Sequence, residues 1–486
     1  MFLGIDIGTS SVKAVLVDEQ DALLAQSSIP LTISRPQPLF SEQDPDSWWQ
    51  ATLSAVRSLP AAMRAAVRAI GLSGQMHGAT LLDKSGTPLR PAILWNDGRS
   101  GPECLELERR VPLSRMLTGN IMMPGFTAPK LLWVAEHQPE LFARTAKVLL
   151  PKDYVRLRLT GEAASDMSDA SGTGWLNVAD RDWSEPMLAA TGLNRGHMPR
   201  LVEGTEGSGR LRSEAAQQLQ IPPVVVAGGG GDNAATAVGM GVVMPGQAFL
   251  SLGTSGVLFV VTDRFRPNPD KAAHAFCHCL PHRWHQMSVM LSAASALDWV
   301  AQLTGESDLP RLVGAAQAKG LHRNAPYFLP YLSGERTPHN DPHARGVFFG
   351  LTSATTRDDL VLAVLEGVAF AFADGLDVLL EKGGYIGEIA VSGGGARLPY
   401  WGQIIAAALN RSLTYRAGSE VAAAVGAARL GRIAVTDETP QDICAAPPIA
   451  HVIEPDRALT ALLDERRALF VQLYRDLKHS FREFAT

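Results

Sequence analysis

The sequence of 486 residues has little of what marks the specialised classes of protein. Its four cysteines are too few for a disulfide framework in a chain of this length, which favours a reducing compartment. No uninterrupted apolar run approaches the roughly 20 residues that span a bilayer. No basic leader precedes the first acidic residue, Asp6. These absences predict a cytoplasmic protein without a membrane partner.

A large excess of charge of one sign is also missing. Lysine and arginine number 44 and aspartate and glutamate 49, which gives a formal net charge of −5 at pH 7. Because the basic residues are scattered, the sequence argues against a nucleic-acid surface and favours small-molecule partners. The length and the hydrophobic content of 46% are typical of a globular protein with two or more domains.

The common nucleotide-binding fingerprints are absent, since the sequence contains neither a GxxxxGK[ST] phosphate loop nor a complete GxGxxG motif. A nucleotide would have to be held differently. Two turns between predicted strands, Gly8–Ser11 and Gly253–Gly256, offer backbone amides and hydroxyls to an anion, and Lys13 follows the first turn. Each turn alone is equally typical of a solvated β-turn, whereas two facing turns would clamp a polyphosphate.

Polar residues follow predicted strands at three further points. The strand Val224–Val226 leads into four glycines and then Asp232, which could act as a general base, while the glycines either cradle a phosphate or give a substrate clearance. His77 follows another strand and either binds a sugar hydroxyl or lies in the core. The glycines of Gly393–Gly395 either admit an adenosine ring or form a helix-entry turn.

The two halves of the chain repeat one pattern. Asp6–Ser10 is similar to Ser251–Ser255, and Ile70–Gly74 is similar to Ile389–Gly393, in the same order. We therefore predict two similar α/β domains, residues 1–244 and 245–486, each a β-meander followed by strands that alternate with helices. Gly204–Gly209 is predicted to be a surface loop. The long predicted helices are Leu291–Leu303, Arg357–Leu380, Tyr400–Leu409, Val421–Arg432 and Ala458–Phe481.

In this combination and order, the motifs resemble those of the FGGY carbohydrate kinases, a family of the actin-like ATPase superfamily. The resemblance runs from residue 2 to about residue 432, and the segment after Arg432 is assigned no role beyond packing. It implies an α/β fold of two RNase H-like domains flanking a central catalytic cleft, with the sugar and the base on residues 1–244, the nucleotide on residues 245–486, and ATP and Mg²⁺ as cofactors. The segments that carry it are Asp6–Lys13, Gly125–His137, Gly228–Asn233, Gly253–Thr254, Gly346–Glu366 and Gly393–Ala396.

The resemblance also implies roles for single residues. Asp232 would be the catalytic base, and Asp6 a catalytic carboxylate associated with the metal. The residues implied to contact the sugar are Met76, His77, Asp232 and Asn233. The residues implied to line the nucleotide site are Thr9, Ser10, Lys13, Gly253, Thr254, Gly394 and Gly395. Some relatives carry arginine at the position of Lys13, so its phosphate contact stays open.

Three segments, Ser73–Gly78, Trp95–Arg99 and Leu332–Pro338, resemble the members of the family that phosphorylate D-xylulose at its 5-hydroxyl. Ribulose, L-xylulose, gluconate and glycerol are the alternative acceptors, and an actin-like ATP-binding module that moves or regulates is the non-enzymatic alternative. The polar residues around Asp232 favour a kinase because they suit a polar acceptor. The expected small-molecule partners are D-xylulose and ATP. The protein partner considered is a second copy of the chain, in a homodimer.

Overall fold

The computed structural model describes residues 1–484, which form two large mixed β-sheets surrounded by helices. The strands are β1 (Phe2–Ile7), β2 (Ser11–Val17), β3 (Leu23–Pro30), β4 (Glu42–Gln43), β5 (Ala69–Gly74), β6 (Thr80–Leu82), β7 (Ala92–Ile93), β8 (Lys147–Leu149), β9 (Ala164–Asp166), β10 (Leu176–Asn177), β11 (Asp182–Trp183), β12 (Arg200–Val202), β13 (Gly207–Arg210), β14 (Val225–Ala227), β15 (Gly230–Gly231), β16 (Ala248–Leu252), β17 (Gly256–Thr262), β18 (His274–Cys277), β19 (Trp284–Met290), β20 (Tyr327–Leu329), β21 (Val347–Phe349), β22 (Ile389–Ser392), β23 (Leu413–Arg416) and β24 (Ile449–Ile453).

The helices cover the faces of the sheets and connect their parallel strands. The α-helices are α1 (Pro45–Arg57), α2 (Ala61–Arg64), α3 (Gly101–Arg110), α4 (Ser114–Thr118), α5 (Thr127–His137), α6 (Pro139–Arg144), α7 (Pro151–Thr160), α8 (Met167–Ser171), α9 (Glu185–Ala190), α10 (Ser213–Leu219), α11 (Asp232–Met240), α12 (Ala294–Leu303), α13 (Leu309–Lys319), α14 (Arg357–Leu380), α15 (Pro399–Leu409), α16 (Ala422–Ile433), α17 (Pro440–Ile443) and α18 (Arg457–Phe484). Short 3₁₀ helices lie at Arg195–His197, Pro269–Lys271, Gly394–Arg397 and Ser419–Val421. None of the helices within residues 1–484 is long and apolar enough to cross a membrane.

The two sheets repeat one topology, which confirms the predicted internal similarity. In the first sheet the order is β13-β14-β5-β1-β2-β3, and β15 also pairs in parallel with β5, on the residues that follow those paired with β14. Strands β1, β2 and β3 are antiparallel, and β1 is parallel to β5. The second sheet has the order β18-β19-β17-β16-β22-β23-β24, in which β16, β17 and β19 are antiparallel and β16 is parallel to β22. Each half therefore places its first strand between a hairpin partner and a later parallel strand.

Local chemistry accounts for most of the elements. Helix α1 begins where the Asp44 side chain accepts a hydrogen bond from the amide of Asp46, with Pro45 in the first turn. Strand β1 is buried on both faces, as expected for a strand flanked on both sides. Helix α14 has the predicted bounds, and the other four long helices differ from the predicted bounds by at most three residues.

The predicted surface loop Gly204–Gly209 is wrong in its second half. Gly207–Arg210 forms strand β13, which is antiparallel to β14 with an irregular register. The Ser208 hydroxyl donates to the carbonyl of Val226 at 2.8 Å. Small residues carry no apolar alternation, so this strand depends on its neighbour in the sheet and leaves no signal in its own sequence.

The segment after Arg432 completes the second half of the molecule. Strand β24 pairs antiparallel with β23 at the edge of the second sheet. Helix α18 packs against α15 and against the hydrophobic core of the second half of the chain. Arg466 on α18 donates to the Glu366 carboxylate at 2.5 Å, and both side chains are buried. The segment after Arg432 is thus part of the hydrophobic core of the second half of the chain.

Helix α16 joins the two halves. Although it lies between β23 and β24 of the second sheet in sequence, it packs on β1, β5 and α11 of the first half. A Cβ on Gly71 would lie 1.7 Å from the carbonyl oxygen of Ala427, and one on Gly426 would lie 1.9 Å from that of Ala235, so glycine is required where the backbones meet. The predicted domain boundary near Pro245 falls between α11 and β16 and stays a prediction.

Candidate active site

Two adjoining cavities lie between the sheets. The larger has a volume of about 640 Å³ and the smaller about 250 Å³. Asp232, Asn233 and Ser251 line both. A cavity of several hundred Å³ is typical of a cofactor or small-molecule site, and the shared residues place the Asp232 carboxylate at the junction.

Asp232 is fixed at the start of α11. Its Oδ1 atom accepts hydrogen bonds from the amide of Asn233 at 2.7 Å and from Asn233 Nδ2 at 2.9 Å. On the preceding residue, the Gly231 amide donates to Ser168 Oγ at 3.0 Å. These bonds hold one carboxylate oxygen against the protein and leave Oδ2 without a hydrogen bond from residues 1–484. The free oxygen is the one available to a ligand.

The four glycines before Asp232 are not among the residues that line either cavity. They are buried, and their role is close packing. A Cβ on Gly229, whose φ is +73°, would lie 2.0 Å from the carbonyl oxygen of Leu72, and one on Gly231 would lie 2.9 Å from Met76 Cγ. The two sequence interpretations of these glycines, as a phosphate cradle or as clearance for a substrate, stay predictions.

Two carboxyl groups share the larger cavity. Burial, with a further contribution from the Asp6 charge, raises the pKa of Asp232 to about 7. Burial also raises the pKa of Asp6. A hydrogen bond from Ser73 Oγ at 3.1 Å and the charge of Lys13 both act in the opposite direction and lower it. A group with a pKa near 7 suits general base catalysis at neutral pH. The paired oxygen donors also fit Mg²⁺, which prefers carboxylates, and a cation would relieve their repulsion.

His77 lines the smaller cavity with its ring in a defined state. Its Nδ1 lies 2.6 Å from the carbonyl oxygen of Gly172, so this nitrogen carries the proton. Burial lowers the pKa of His77 to about 3, so the ring is neutral and Nε2 is an acceptor. Its φ is +67°, and Lys130 Nζ holds its carbonyl at 2.9 Å. The ring stacks on Phe126 at 5.0 Å. Such a histidine is suited to accept a hydrogen bond from a hydroxyl.

The larger cavity is closed by both halves of the chain. Lys13 from β2 donates to the carbonyl of Glu420 at 3.2 Å. The second half contributes Gly394, where no atom would lie within 4 Å of an added Cβ. Tyr415 and His451, which stack at 4.3 Å, form part of the same wall. The uncrowded backbone at Gly394, beside these aromatic rings, suits the flat ring of a nucleotide base.

The remaining predicted nucleotide residues lie elsewhere in the structure. Gly253 and Thr254 line the smaller cavity. The Thr9 hydroxyl donates to Gln75 Oε1 at 3.0 Å and accepts from Trp95 Nε1 at 2.9 Å. Thr9, Ser10 and Gly395 line neither cavity. Their contact with a nucleotide stays a prediction.

Several cavity residues were not singled out from the sequence. In the smaller cavity these are Trp95, His274, Phe276 and Arg336, and in the larger Arg397, Tyr415, Glu420 and His451. Trp95 and Arg336 lie within segments that support the resemblance, which is the signal that pointed to them. His274 and Phe276 alternate in β18 like ordinary core residues, so no signal in the sequence indicated that they line a cavity.

Comparison with known proteins finds relatives that match both halves of the chain. Residues 1–239 match the N-terminal domain, and residues 248–435 the C-terminal domain, of the FGGY family of carbohydrate kinases. The chain is 54% identical to the xylulose kinase of Escherichia coli (strain K12) over 98% of its own length and 99% of that protein. The crystal structure of a "xyloylose kinase" from Brucella ovis is 51% identical, with a TM-score of 0.94 over 98% and 99% of the two chains. The xylulose kinase structure from Rhodospirillum rubrum is 30% identical, with a TM-score of 0.92 over 99% of each chain.

Proposed function

The chain belongs to the FGGY family of carbohydrate kinases, and from this premise we propose that it transfers the γ-phosphoryl group of ATP to the 5-hydroxyl of D-xylulose. The products are ADP and D-xylulose 5-phosphate. The names of the relatives that match nearly the whole chain support this acceptor. The observation that carries the proposal is the position of Asp232 where the two cavities meet.

The smaller cavity holds the sugar in this proposal. Met76, His77 and Asn233 line it together with Asp232. His77 Nε2 accepts a hydrogen bond from a sugar hydroxyl, and Asn233 supplies amide groups for another. The 5-hydroxyl then faces the free oxygen of Asp232. The larger cavity holds ATP, with Lys13 and Gly394 in its wall.

Proton transfer from the acceptor is the step that the chain performs itself. The Asp232 carboxylate takes the proton of the 5-hydroxyl as the oxygen forms its bond to the γ-phosphorus and the bond to the ADP oxygen breaks. When bound, Mg²⁺ neutralises charge on the phosphate oxygens. Asp6 is the residue that would hold it, because its carboxylate lines the larger cavity beside the base and offers the oxygen donors that Mg²⁺ prefers. Phosphoryl transfer depends chiefly on such positioning and charge neutralisation.

Coupled measurement of ADP release with a panel of ketoses and polyols tests this function. D-xylulose should give the highest kcat/KM among ribulose, L-xylulose, gluconate and glycerol. Asp232→Asn should lose turnover while sugar binding is kept, and Asp298→Asn, at an exposed helix position, is the matched control. Release of ADP that no acceptor stimulates would refute the kinase assignment. Near-normal turnover of Asp232→Asn would refute the role of the base.

Two further predictions concern the state of the protein in the cell. We propose a homodimer, for which light scattering after size-exclusion chromatography should give about twice the chain mass of 52.0 kDa. We also propose a cytoplasmic location, in keeping with four buried thiols that form no disulfide in the structure. Fractionation of cells that express the tagged chain tests that location.

A further inference from the structure

Arg336 is a cation in the smaller cavity without a carboxylate partner. It lies on the segment Leu332–Pro338 of the second half and lines the same cavity as His77. Within residues 1–484, the guanidinium forms no ion pair within 4.0 Å, and the charge of Glu335 only partly offsets the effect of burial, which lowers the pKa of Arg336. The adjacent Glu335 does not fill this role, because its Oε1 accepts from the amides of Leu291 at 3.0 Å and Arg336 at 2.7 Å. An arginine left unpaired beside a ligand cavity needs an explanation.

The guanidinium is oriented from behind by a fixed chain of hydrogen bonds. Asn120 Nδ2 donates to the carbonyls of Thr118 at 2.7 Å and Ala275 at 3.1 Å, which turns Asn120 Oδ1 toward His274. His274 Nδ1 lies 3.0 Å from that oxygen and therefore carries the ring proton. Since burial lowers the pKa of His274 well below its usual value, the ring is neutral. Its Nε2 is then an acceptor, 3.4 Å from Arg336 Nη1.

The other guanidinium nitrogens, Nε and Nη2, have no hydrogen-bond partner within residues 1–484, and they are not among the buried polar atoms. They are therefore available to the cavity that Arg336 lines. Arginine offers only donors, whereas His77 Nε2 in the same cavity offers only an acceptor. The two side chains thus differ in chemistry. His77 suits a group that donates a hydrogen bond, and Arg336 suits a group that only accepts.

The chemistry of a 2-ketopentose supplies such a group. Ring closure of a 2-ketopentose uses the 5-hydroxyl, which adds to the C2 carbonyl to form a furanose. A sugar whose 5-hydroxyl attacks phosphorus must therefore be in its open-chain form, with the C2 carbonyl free. A carbonyl oxygen is an acceptor only, which matches a guanidinium and not a histidine acceptor. On the premise of the proposed function, we propose that Arg336 is a specificity-determining residue that donates to the C2 carbonyl of the open-chain ketose.

This assignment gives the two halves separate tasks in recognising the sugar. The first half holds the reacting end at Asp232 and hydroxyls at His77. The second half reads the carbonyl through Arg336. A pentitol of the same length has the terminal hydroxyl but no carbonyl. It therefore keeps the contacts with Asp232 and His77 and gains less from the contact with Arg336. Sites built to bond one polar group discriminate strongly against analogues that lack it.

The test compares D-xylulose with xylitol in the wild type and in Arg336→Met. The variant should lose about 10- to 100-fold in kcat/KM for D-xylulose, as expected for a hydrogen bond from a charged donor. For xylitol the loss should be threefold or less, and the KM for ATP should not change. Arg336→Lys, which keeps a cationic donor, should recover part of the preference. Arg345→Met is the matched control, because Arg345 lies on the same stretch of chain, bonds to carbonyls of its own segment and does not line the cavity.

Calorimetric binding of each acceptor without ATP gives a readout that does not need turnover, and circular dichroism shows whether the variants fold. Preferential loss of D-xylulose binding supports the proposal even in an inactive variant. Equal losses for both acceptors would overturn it, because Arg336 would then serve the phosphoryl group or the shape of the cavity. If the wild type phosphorylates neither acceptor, the proposed function itself fails. Wild-type activity with an unchanged preference in Arg336→Met refutes this inference alone.

Discussion

Replacing Asp232 with asparagine should strongly reduce turnover and stabilise the folded protein. Burial and the charge of Asp6 raise the pKa of Asp232 from 3.8 to about 7, so the native state resists its ionisation. A tenfold change in proton affinity corresponds to about 1.4 kcal/mol. The rise therefore corresponds to at most about 4 kcal/mol of free energy of unfolding lost when the carboxylate is charged. Asparagine keeps the shape and the acceptor for Asn233, and we expect a gain of about 2–4 kcal/mol.

The gain in the free energy of unfolding should increase with pH. Between pH 4 and pH 7 the folded protein binds more protons at Asp232 than the unfolded chain, so its stability falls as the pH rises. Asparagine does not titrate. The difference between variant and wild type should thus be small near pH 4, grow through this window and stay constant above pH 7. Turnover should fall by about 10²- to 10⁴-fold, the usual contribution of a general base.

Thermal unfolding at pH 5 and pH 8.5, measured beside steady-state kinetics, checks both expectations. Asp232→Asn should unfold several degrees higher than the wild type at pH 8.5, with a smaller difference at pH 5. Asp298→Asn, at an exposed helix position, should change neither quantity. An equal gain at both values of pH, or no gain at pH 8.5, would show that Asp232 is not held against its ionisation and would remove the basis for its role.

Three other predictions address the supports of the site and the core. Lys130→Met removes the donor to the carbonyl of the sugar-side histidine at 2.9 Å, so the KM for the sugar should rise about tenfold with an unchanged KM for ATP; an equal change in both constants would contradict this role. Gly71→Ala forces a Cβ to within 1.7 Å of a backbone oxygen of α16 and should cost about 3 kcal/mol or more in urea unfolding, whereas Gly314→Ala, in open space on α13, should be neutral or stabilising by up to about 1 kcal/mol. Arg466→Met leaves the buried Glu366 carboxylate unpaired and should cost about 3–5 kcal/mol, most of which the double variant with Glu366→Gln should restore.

Local patterns were sufficient for the elements and their repetition. Val12–Val17 alternates as a strand, and the same hairpin with a Gly-Thr-Ser turn recurs at Gly253, so both meanders follow from the sequence. The long helices follow from apolar periodicity and from caps such as Asp44. The two central carboxylates, Asp6 and Asp232, were also found, because each stands where a buried strand ends.

Contacts between distant segments were not visible in the sequence. The glycines before Asp232 have the composition of a phosphate loop, yet they are packed against backbone from elsewhere in the chain, including that of Leu72. Strand β13 has no apolar alternation and exists through its pairing with β14. Arg336 is informative because it lacks an ion pair and is oriented by His274 and Asn120, which lie far away in the chain. Such features arise from packing and not from local propensity.

The packing of α11 against α16 connects these observations to the chemistry. Helix α11 carries Asp232 in its first turn, and Ala422, in the first turn of α16, lines the larger cavity. The two helices meet backbone to backbone, since a Cβ on Gly239 would lie 1.9 Å from the carbonyl oxygen of Ala422. Larger side chains at this contact would move the wall of the larger cavity away from Asp232. In the proposed function, small residues at the contact of the two helices therefore set the distance between Asp232 and the phosphate.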